Sequence, residues 1–244
     1  RASGAVAALA EHGLMEAGLP GLQVANSKAA LGQLAAGWRV QFTLPLVAVT
    51  GSNGKTSTKE MLAAILAQRG PTLATRGNLN NHIGVPLTLL ELEQGHRHAV
   101  IEMGANHPGD VAELAGIALP TIGLVTNAGA EHLEGFGSLE GAARAEGELF
   151  AALGRDGVAV LNADDEFAPL WREMTIARIV TFGLGAKADF TARDIVTAVG
   201  EAGFVTRFTL HSPAGTAAIT LNLAGKHNVV NALGAAAAAV AAGA

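Results

Sequence analysis

The sequence predicts an α/β fold in which helices flank a mostly parallel sheet and a small antiparallel sheet follows. Three observations predict it. Apolar runs alternate with segments of helical period between residues 44 and 174, later segments alternate apolar and polar residues, and 50% of the 244 residues are hydrophobic against 15% charged. Continuous apolar strands are typical of a parallel sheet buried on both faces, whereas two-residue alternation is typical of a sheet with one exposed face.

The first 44 residues differ from those that follow. We predict a helix, a short strand at residues 22–24, and a second helix from Ser27, the expected N-cap, to Trp38. We interpret residues 1–44 as the C-terminal part of an N-terminal domain and residues 45–244 as a central domain. Because the chain begins with Arg1 and stops within an Ala-rich helical run, we expect a fragment cut at both ends.

The central sheet is predicted from four apolar runs and the segments between them. The runs LPLVAVT, HAVIEM, TIGLVT and VAVL lie at residues 44–50, 98–103, 121–126 and 158–161. Helices are predicted at residues 56–68, 108–118, 138–153 and 165–174. The alternating segments at residues 189–196, 203–210 and 216–223 predict the antiparallel strands, and a last helix starts near His227.

Composition excludes several classes of protein. With 16 Lys and Arg against 21 Asp and Glu, the net charge is −5, so no basic field is present for a nucleic-acid partner. No apolar run reaches the roughly 18 residues of a membrane-spanning helix. The sequence has no Cys, which excludes disulfides and thiolate zinc sites and favours a reducing compartment. We expect a cytoplasmic protein and a monomer.

The motif TGSNGKTS at residues 50–57 predicts a phosphate-binding loop (P-loop) at the start of the central domain. It follows an apolar strand and opens a helix, so that backbone N–H groups, the helix N-terminus and Lys55 can face phosphates while the Thr56 hydroxyl binds Mg²⁺. The strict pattern G-x-x-x-x-G-K-S/T is not met, because Val49 stands at its first glycine. The alternative is an ordinary Gly-rich turn with a solvated lysine.

Two further residues are candidate metal ligands. Glu102 ends the run HAVIEM, where a buried carboxylate is costly unless a cation accompanies it; the alternative is a glutamate that faces solvent. His132 lies in NAGAEHLEGFGS, the loop after the third run, at the sheet edge where ligands bind in open α/β sheets. The alternative for His132 is a hydrogen-bonded loop histidine.

Asparagines at two places are candidate ligand contacts. Asn80 and Asn81 lie in GNLNNHIGVP, where they could also cap turns. Asn228 and Asn231 are three residues apart in the first turn of the last helix and could present two amides to the edge of a base. Helix capping explains Asn228 equally well.

Together these blocks resemble the Mur ligases, the ATP-dependent amide-forming enzymes of peptidoglycan synthesis. The resemblance covers about residues 22–244 and rests on AVTGSNGKTSTKEM, GNLNNHIGVPLTLLEL, VIEMGANHPGDVAEL, TNAGAEHLEGFGSLEG and LAGKHNVVNALGAAA, in matching order and spacing. Within the family, they are most similar to the member that joins D-alanyl-D-alanine to UDP-N-acetylmuramoyl-tripeptide. The resemblance implies these two substrates, the cofactors ATP and Mg²⁺, phosphoryl transfer to the tripeptide carboxylate, and attack of the dipeptide amine on the acyl phosphate.

The resemblance also implies roles for particular residues. It implies that the ATP phosphates are bound by Gly51, Ser52, Asn53, Gly54, Lys55, Thr56 and Ser57. It further implies that Thr56, Glu102 and His132 hold two Mg²⁺ ions, with Lys55 neutralising phosphate charge. Asn228 and Asn231 would lie against adenine, and Asn80 and Asn81 near the nucleotide and metal.

One residue departs from the family pattern. In the helix after the histidine loop these ligases usually carry a carbamylated lysine whose carbamate helps to hold the second Mg²⁺, and ARAEGELF places Glu146 there. We hypothesise that Glu146 supplies an encoded carboxylate. Because its side chain is shorter, it would need a bridging water or a shifted helix. The alternative is a surface glutamate on a helix that has lost this ligand.

Three other functions remain open. A folylpolyglutamate synthase shares the fold and the acyl-phosphate chemistry, but that family usually has GKGS where this chain has GKTS and lacks NNHIGVP. The others are a generic P-loop ATPase or kinase and a nucleotide-binding module without catalysis. Because the family's uridine-binding segment and C-terminal domain lie outside residues 1–244, we expect this chain to keep an ATP site with little or no ligase turnover.

Overall fold

The computed structural model describes residues 4–14, 18, 20–129, 133–185, 187–200 and 203–244. Its centre is a parallel sheet of six strands, which are β3 (Leu46–Thr50), β4 (Thr72–Ala74), β5 (His98–Glu102), β6 (Ile122–Val125), β7 (Val158–Asn162) and β8 (Arg178–Phe182). Their order in the sheet is β4-β5-β3-β6-β7-β8. The predicted parallel sheet is therefore confirmed.

The central strands are apolar at every position because both faces of the sheet are covered. In β3 all five residues are buried. Leu46 and Ala48 pack into the core on one face of the sheet, whereas Val47 and Val49 pack into the core on the other. Alternate side chains of a strand point to opposite faces, so a strand with two covered faces needs apolar residues throughout.

Helices cover both faces of the sheet. One face carries α1 (Ser27–Arg39), α3 (Gly84–Leu89), α4 (Asp110–Ala118), α6 (Leu139–Ala151) and α7 (Ala168–Glu173). The other face carries α2 (Lys55–Ala67) and α8 (Lys226–Ala241), and the short helix α5 (Leu133–Phe136) precedes α6. The fully buried Trp171 of α7 anchors this helix to α6, because its indole N–H donates to the carbonyl of Ala143 at 2.8 Å.

The predicted antiparallel sheet is also confirmed. It consists of β9 (Thr191–Gly200), β10 (Gly203–Ser212) and β11 (Gly215–Leu221), in the order β11-β10-β9. Phe190, Ala192 and Phe208 pack with α8 into the second core, so this small sheet closes one side of the domain.

The N-terminal region differs from the prediction. Residues 8–10 form a strand, β1 (Ala8–Ala10), where a helix was predicted, and β1 pairs in parallel with β2 (Gly21–Gln23). The sequence ALA carries no strand signal, so only this pairing defines β1. The N-cap of α1 is Asn26 rather than Ser27, because the Asn26 side chain accepts a hydrogen bond from the N–H of Ala29. The prediction also lacked β4, α3, α5 and β8.

Helix α1 is joined to the sheet domain by a buried arginine. The Arg39 guanidinium donates to the carbonyls of Ala118 at 3.0 Å, Phe42 at 2.5 Å and Leu119 at 3.3 Å. Ala118 and Leu119 lie at the end of α4, where carbonyls lack intrahelical donors, and Phe42 lies in the loop after α1. The assignment of residues 1–44 to a separate domain stays a prediction, but α1 packs as part of the central core.

Candidate functional site

The predicted phosphate loop, Glu102 and the loop towards His132 meet at one edge of the sheet. They follow three neighbouring strands, because β3 lies between β5 and β6 in the sheet order. Thr50 ends β3, Glu102 ends β5 and Val125 ends β6. The carboxyl ends of parallel strands form the usual ligand site of an open α/β sheet.

Two glycines give the loop its path. Gly51 and Gly54 have φ angles of 126° and 82°, in the region that favours glycine. A Cβ at Gly51 would lie 2.1 Å from the Thr126 hydroxyl, and one at Gly54 would lie 2.5 Å from Oδ1 of Asn231. The loop therefore packs directly against the segments that follow β6 and begin α8, with no room for a side chain at either glycine.

Helix α2 begins directly after the loop and offers its N-terminus as an anion site. The N–H of Thr58 donates to the carbonyl of Gly54 at 2.9 Å. The backbone N–H groups just before Thr58 have no acceptor within the helix, and their dipoles favour an anion. The backbone N–H groups of residues 54–57 therefore lie where an anion such as a phosphate could accept their hydrogen bonds.

The preceding three amides of the loop are engaged within the protein. Gly51 N–H donates to Oε2 of Glu146 at 2.8 Å, Ser52 N–H to the Asn127 carbonyl at 2.9 Å, and Asn53 N–H to Oδ1 of Asn127 at 3.0 Å. The resemblance assigned all of residues 51–57 to phosphate binding. In this structure the backbone donors of residues 51–53 fix the shape of the loop instead.

The Lys55 ammonium rests on its own loop. It donates to the carbonyls of Gly51 at 2.5 Å and Ser52 at 2.8 Å. To reach a phosphate, this side chain has to leave the two carbonyls, so Lys55 has a folded-back position distinct from the phosphate-bound one that the motif predicts.

Glu102 is placed as a metal ligand would be. Glu102 is only 1% exposed, which excludes the alternative of a glutamate that faces solvent. Oε1 accepts hydrogen bonds from Asn80 Nδ2 at 2.8 Å and from Thr56 Oγ1 at 3.2 Å, whereas Oε2 is buried without a partner among the described residues. A buried carboxylate oxygen without a donor is costly, and a cation would remove that cost.

The donor set around Glu102 fits Mg²⁺. Carboxylate and hydroxyl oxygens are the ligands that this ion takes, together with phosphate oxygens and water. Within the described ranges no group of three His, Cys, Asp or Glu side chains could hold a metal ion alone. A divalent cation here would therefore depend on Thr56 and phosphate oxygens as well as on Glu102.

His132 lies outside the described residues, so its predicted role stays a prediction. The loop that leads to it leaves β6 beside the phosphate loop. Gly129 N–H donates to Oγ of Ser52 at 2.8 Å, and the Asn127 side chain binds the backbone of Asn53 with both of its polar atoms, at 3.0 and 2.9 Å. The histidine segment thus starts from a backbone that is fixed to the phosphate loop.

Glu146 is buried against the phosphate loop, which excludes the surface alternative. The residue is 4% exposed, and Oε2 accepts from the Thr50 hydroxyl at 2.5 Å and from Gly51 N–H. Burial raises the pKa of the Glu146 carboxyl, although the Thr50 hydrogen bond and the Lys55 charge act in the opposite direction. Helix α6 thus brings a carboxyl group to the end of β3.

Replacement of Glu146 by glutamine is expected to change the pH dependence of stability. Because folding raises the pKa of Glu146, ionisation of this carboxyl is less favourable in the folded chain than in the unfolded chain. Its stabilising contribution is complete below the ordinary glutamate pKa and is lost as the pH rises through the raised value. In urea titrations with EDTA at a series of pH values upward from about pH 4, the free energy of unfolding of Glu146→Gln should therefore increase with pH relative to that of the unaltered chain.

The matched control for this measurement is Glu140→Gln on the same helix. The Glu140 side chain is 60% exposed and pairs with Arg144 at the surface, so its substitution should shift stability by a small amount that changes little with pH. A constant difference between Glu146→Gln and the unaltered chain over this pH range would contradict the raised pKa.

The predicted asparagines occupy different positions. Asn80 contacts Glu102, whereas Asn81 holds the turn before α3, because its Oδ1 accepts from the N–H groups of Ile83 and Gly84 at 3.0 and 2.9 Å. At α8, Asn228 Nδ2 donates to the Ala224 carbonyl at 2.8 Å, but the N-cap is Gly225 without a side-chain hydrogen bond, so helix capping does not explain Asn228.

Asn231 lies against the phosphate loop. The residue is 7% exposed, and its amide is the group that a side chain at Gly54 would strike. The start of α8 therefore lies beside the loop, and the roles of Asn228 and Asn231 towards adenine stay predictions.

Two residues of this region were not predicted from the sequence. Asn127 bridges the phosphate loop to the segment after β6, and Lys59 of α2 is completely buried. A signal for Lys59 was present, because it lies three and seven residues before Leu62 and Leu66, on the apolar face of the helix. Asn127 had no comparable signal, because asparagine in a loop most often serves a local turn.

In the part of the chain that the structure describes, no helix combines the length and apolar character needed to cross a membrane.

Comparisons with known proteins agree with this geometry. The family model for the Mur ligase middle domain matches residues 49–239. The chain is 48% identical to the UDP-N-acetylmuramoyl-tripeptide--D-alanyl-D-alanine ligase of Escherichia coli (strain K12), over 100% of this chain and 53% of that protein. The chain thus spans about half the length of the curated relatives that it matches.

Solved structures give the same result. A crystal structure of MurF from Acinetobacter baumannii superimposes with a TM-score of 0.91 at 41% identity, covering 100% of this chain and 52% of that one. MurF ligase from Thermotoga maritima, in complex with ADP, superimposes with a TM-score of 0.80 at 28% identity, covering 95% and 53%.

Proposed function

Because the chain belongs to the Mur ligase family, we propose that it is the ATP-binding part of a ligase that adds D-alanyl-D-alanine to UDP-N-acetylmuramoyl-tripeptide. The name of the 48% identical relative supports this choice of substrates. The observation that carries the proposal is the buried Oε2 of Glu102, which has no partner in the described part of the chain and belongs to the carboxylate that binds the Thr56 hydroxyl at the start of α2. That arrangement suits a cation that bridges protein and phosphate.

The phosphates of ATP are proposed to bind at the start of α2. The N–H groups of residues 54–57 donate to phosphate oxygens, and Lys55 leaves the carbonyls of Gly51 and Ser52 to add its charge. Bound Mg²⁺ would neutralise negative charge that develops on the transferred phosphoryl group. Thr56 and Glu102 would hold it, and Asn80 keeps the Glu102 carboxylate in place.

The proposed reaction releases ADP in a first step and phosphate in a second. A carboxylate oxygen of the tripeptide attacks the γ-phosphorus, which gives an acyl phosphate and ADP. The dipeptide amine then attacks the acyl carbon, the C–N bond forms through a tetrahedral intermediate, and the C–O bond to phosphate breaks. This chain's residues serve by positioning and charge neutralisation, which is the main demand of phosphoryl transfer.

Glu146 is proposed to supply the second carboxylate of the magnesium site. The hydrogen bonds described for its side chain both fall on Oε2, which leaves Oε1 to take a cation directly or through water. A carboxylate encoded in the sequence would replace the carbamate that the family usually makes from lysine and CO₂. His132 is proposed as a further ligand from the adjoining loop.

Further parts of the proposal concern the whole enzyme. Asn228 and Asn231 would contact adenine from the start of α8, which lies beside Gly54. Residues 1–44 would complete a domain for the UDP-linked substrate, and a further domain would bring the dipeptide. Because the reaction uses ATP and a nucleotide-linked precursor, we place it in the cytoplasm, and we propose a monomer.

The test is phosphate release by the complete ligase that contains this chain, given ATP and Mg²⁺. We expect release only when UDP-N-acetylmuramoyl-tripeptide and D-alanyl-D-alanine are both present, with little release when single amino acids replace the dipeptide. Release without either substrate would favour a general ATPase, and release with a folate and glutamate would favour a folylpolyglutamate synthase. No release under any of these conditions would favour a nucleotide-binding module.

A further inference from the structure

Lys59 is a buried charge that the proposed reaction does not use. It lies in the second turn of α2, three residues after Thr56, and its side chain is 0% exposed. The ammonium donates to Oε1 of Glu60 at 2.6 Å and to the carbonyl of Thr75 at 2.8 Å, and the carbonyl of Gly77 lies at 3.5 Å.

Packing alone does not account for a lysine at this position. Burial of an ammonium group is costly, and leucine or methionine would fill the same space on the apolar face of α2 without that cost. Its carboxylate partner Glu60 has a side chain that is 65% exposed and therefore remains largely in water. The ammonium is instead directed at the carbonyls of the segment that follows β4.

That segment leads to Glu102. The Thr75 hydroxyl oxygen accepts a hydrogen bond from the N–H of Glu102 at 3.0 Å. Five residues further on, Asn80 donates to Oε1 of Glu102 at 2.8 Å and accepts from the N–H of Gly104 at 2.8 Å. Residues 75–80 thus hold Glu102 by its backbone and by its carboxylate.

We propose that Lys59 is a positioning residue for the magnesium site, acting through Thr75 and Asn80 on Glu102. Helix α2 then positions Glu102 in two ways. Its Thr56 hydroxyl contacts the Glu102 carboxylate directly, and its Lys59 ammonium holds the segment of residues 75–80 that orients Glu102. Residues that orient metal ligands commonly change metal affinity by 10- to 100-fold when they are replaced. This inference rests on the proposed function, since it requires a cation at Thr56 and Glu102.

Lys59→Met tests the inference in the 244-residue chain, because methionine keeps the volume and removes the charge. Calorimetric titration with ADP over a series of Mg²⁺ concentrations gives the Mg²⁺ needed for half-maximal tightening of ADP binding. We expect this concentration to rise by about tenfold or more, while ADP affinity in EDTA stays within about twofold. A general packing defect would weaken both.

Thr58→Val is the matched control. Thr58 precedes Lys59, is fully buried, and its hydroxyl has no partner among the described residues. Its replacement by valine should leave the Mg²⁺ dependence unchanged. An unchanged Mg²⁺ requirement in Lys59→Met would overturn the inference.

Thr75→Val gives an independent readout that survives even if Lys59→Met does not fold. It keeps the shape of the side chain and removes the acceptor of the Glu102 N–H, so it should also raise the Mg²⁺ requirement, by about tenfold. Where both variants fold, their combination should raise it by clearly less than the product of the single effects, because the two residues act in one chain of contacts.

The outcomes distinguish the role of Lys59 from the proposed magnesium site itself. Independent, multiplicative effects, or normal Mg²⁺ dependence in Thr75→Val, would overturn the role of Lys59 and leave the proposed function intact. Absence of any Mg²⁺ effect on ADP binding in the unaltered chain would overturn the proposed magnesium site and this inference with it.

Discussion

Replacement of Lys55 by methionine is expected to lower the affinity of the chain for ATP and Mg²⁺ by about 10- to 100-fold. The ammonium is the only charged donor in the loop motif TGSNGKTS, and in the proposed complex it binds the β- and γ-phosphates. A hydrogen bond to a charged partner contributes about 1.5 to 3 kcal/mol, and each 1.4 kcal/mol corresponds to about tenfold in affinity. Isothermal titration of the unaltered and variant chains with ATP at fixed Mg²⁺ measures the loss.

Lys28→Met is the control for this experiment. Lys28 is exposed on α1, so its loss removes the same charge from the protein without touching the phosphate loop. It should leave ATP affinity within about twofold. A Lys55→Met chain that binds ATP nearly as well as Lys28→Met would show that the phosphates bind elsewhere.

Substitution at Glu146 is expected to have the second large effect, in the complete ligase. Glu146→Gln keeps the shape and removes the negative charge, so it should lower the rate of phosphate release by about 10- to 100-fold and raise the Mg²⁺ requirement. Removal of bicarbonate should leave the unaltered enzyme unaffected, because its carboxylate is encoded. Glu146→Lys should be active only with added bicarbonate, which would carbamylate the new lysine.

The control for the Glu146 prediction is Glu140→Gln, exposed on the same helix, which should retain full activity. Stimulation of the unaltered enzyme by bicarbonate would contradict the encoded-carboxylate hypothesis. Full activity of Glu146→Gln would assign Glu146 to the structure of the loop, through its hydrogen bonds to Thr50 and Gly51.

Much of the fold and part of the site could be predicted because they depend on local signals. A strand with two covered faces is apolar throughout, so β3, β5, β6 and β7 were predicted within a few residues. The phosphate loop was predicted because its chemistry needs glycine, lysine and threonine in sequence. Glu102 was singled out because a carboxylate at the end of an apolar strand is unusual.

What could not be predicted depends on partners distant in the sequence. The strand β1 exists only by pairing with β2, and ALA by itself carries no such preference. The burial of Glu146 depends on how α6 packs against the end of β3, which helical periodicity does not specify. The amides of Gly51 to Asn53 resemble phosphate donors in the sequence, but their acceptors lie about 75 to 95 residues away.

The folded-back position of Lys55 has a consequence for ligand selectivity. Its ammonium already has two carbonyl partners, so nucleotide binding exchanges one set of hydrogen bonds for another instead of adding new ones. The gain in such an exchange comes from replacing neutral dipoles by full negative charge. The loop should therefore select ligands by their negative charge more than by their number of hydrogen-bond acceptors. A neutral mimic of the phosphate chain would gain little from Lys55, because the carbonyls of Gly51 and Ser52 already provide neutral acceptors for its ammonium.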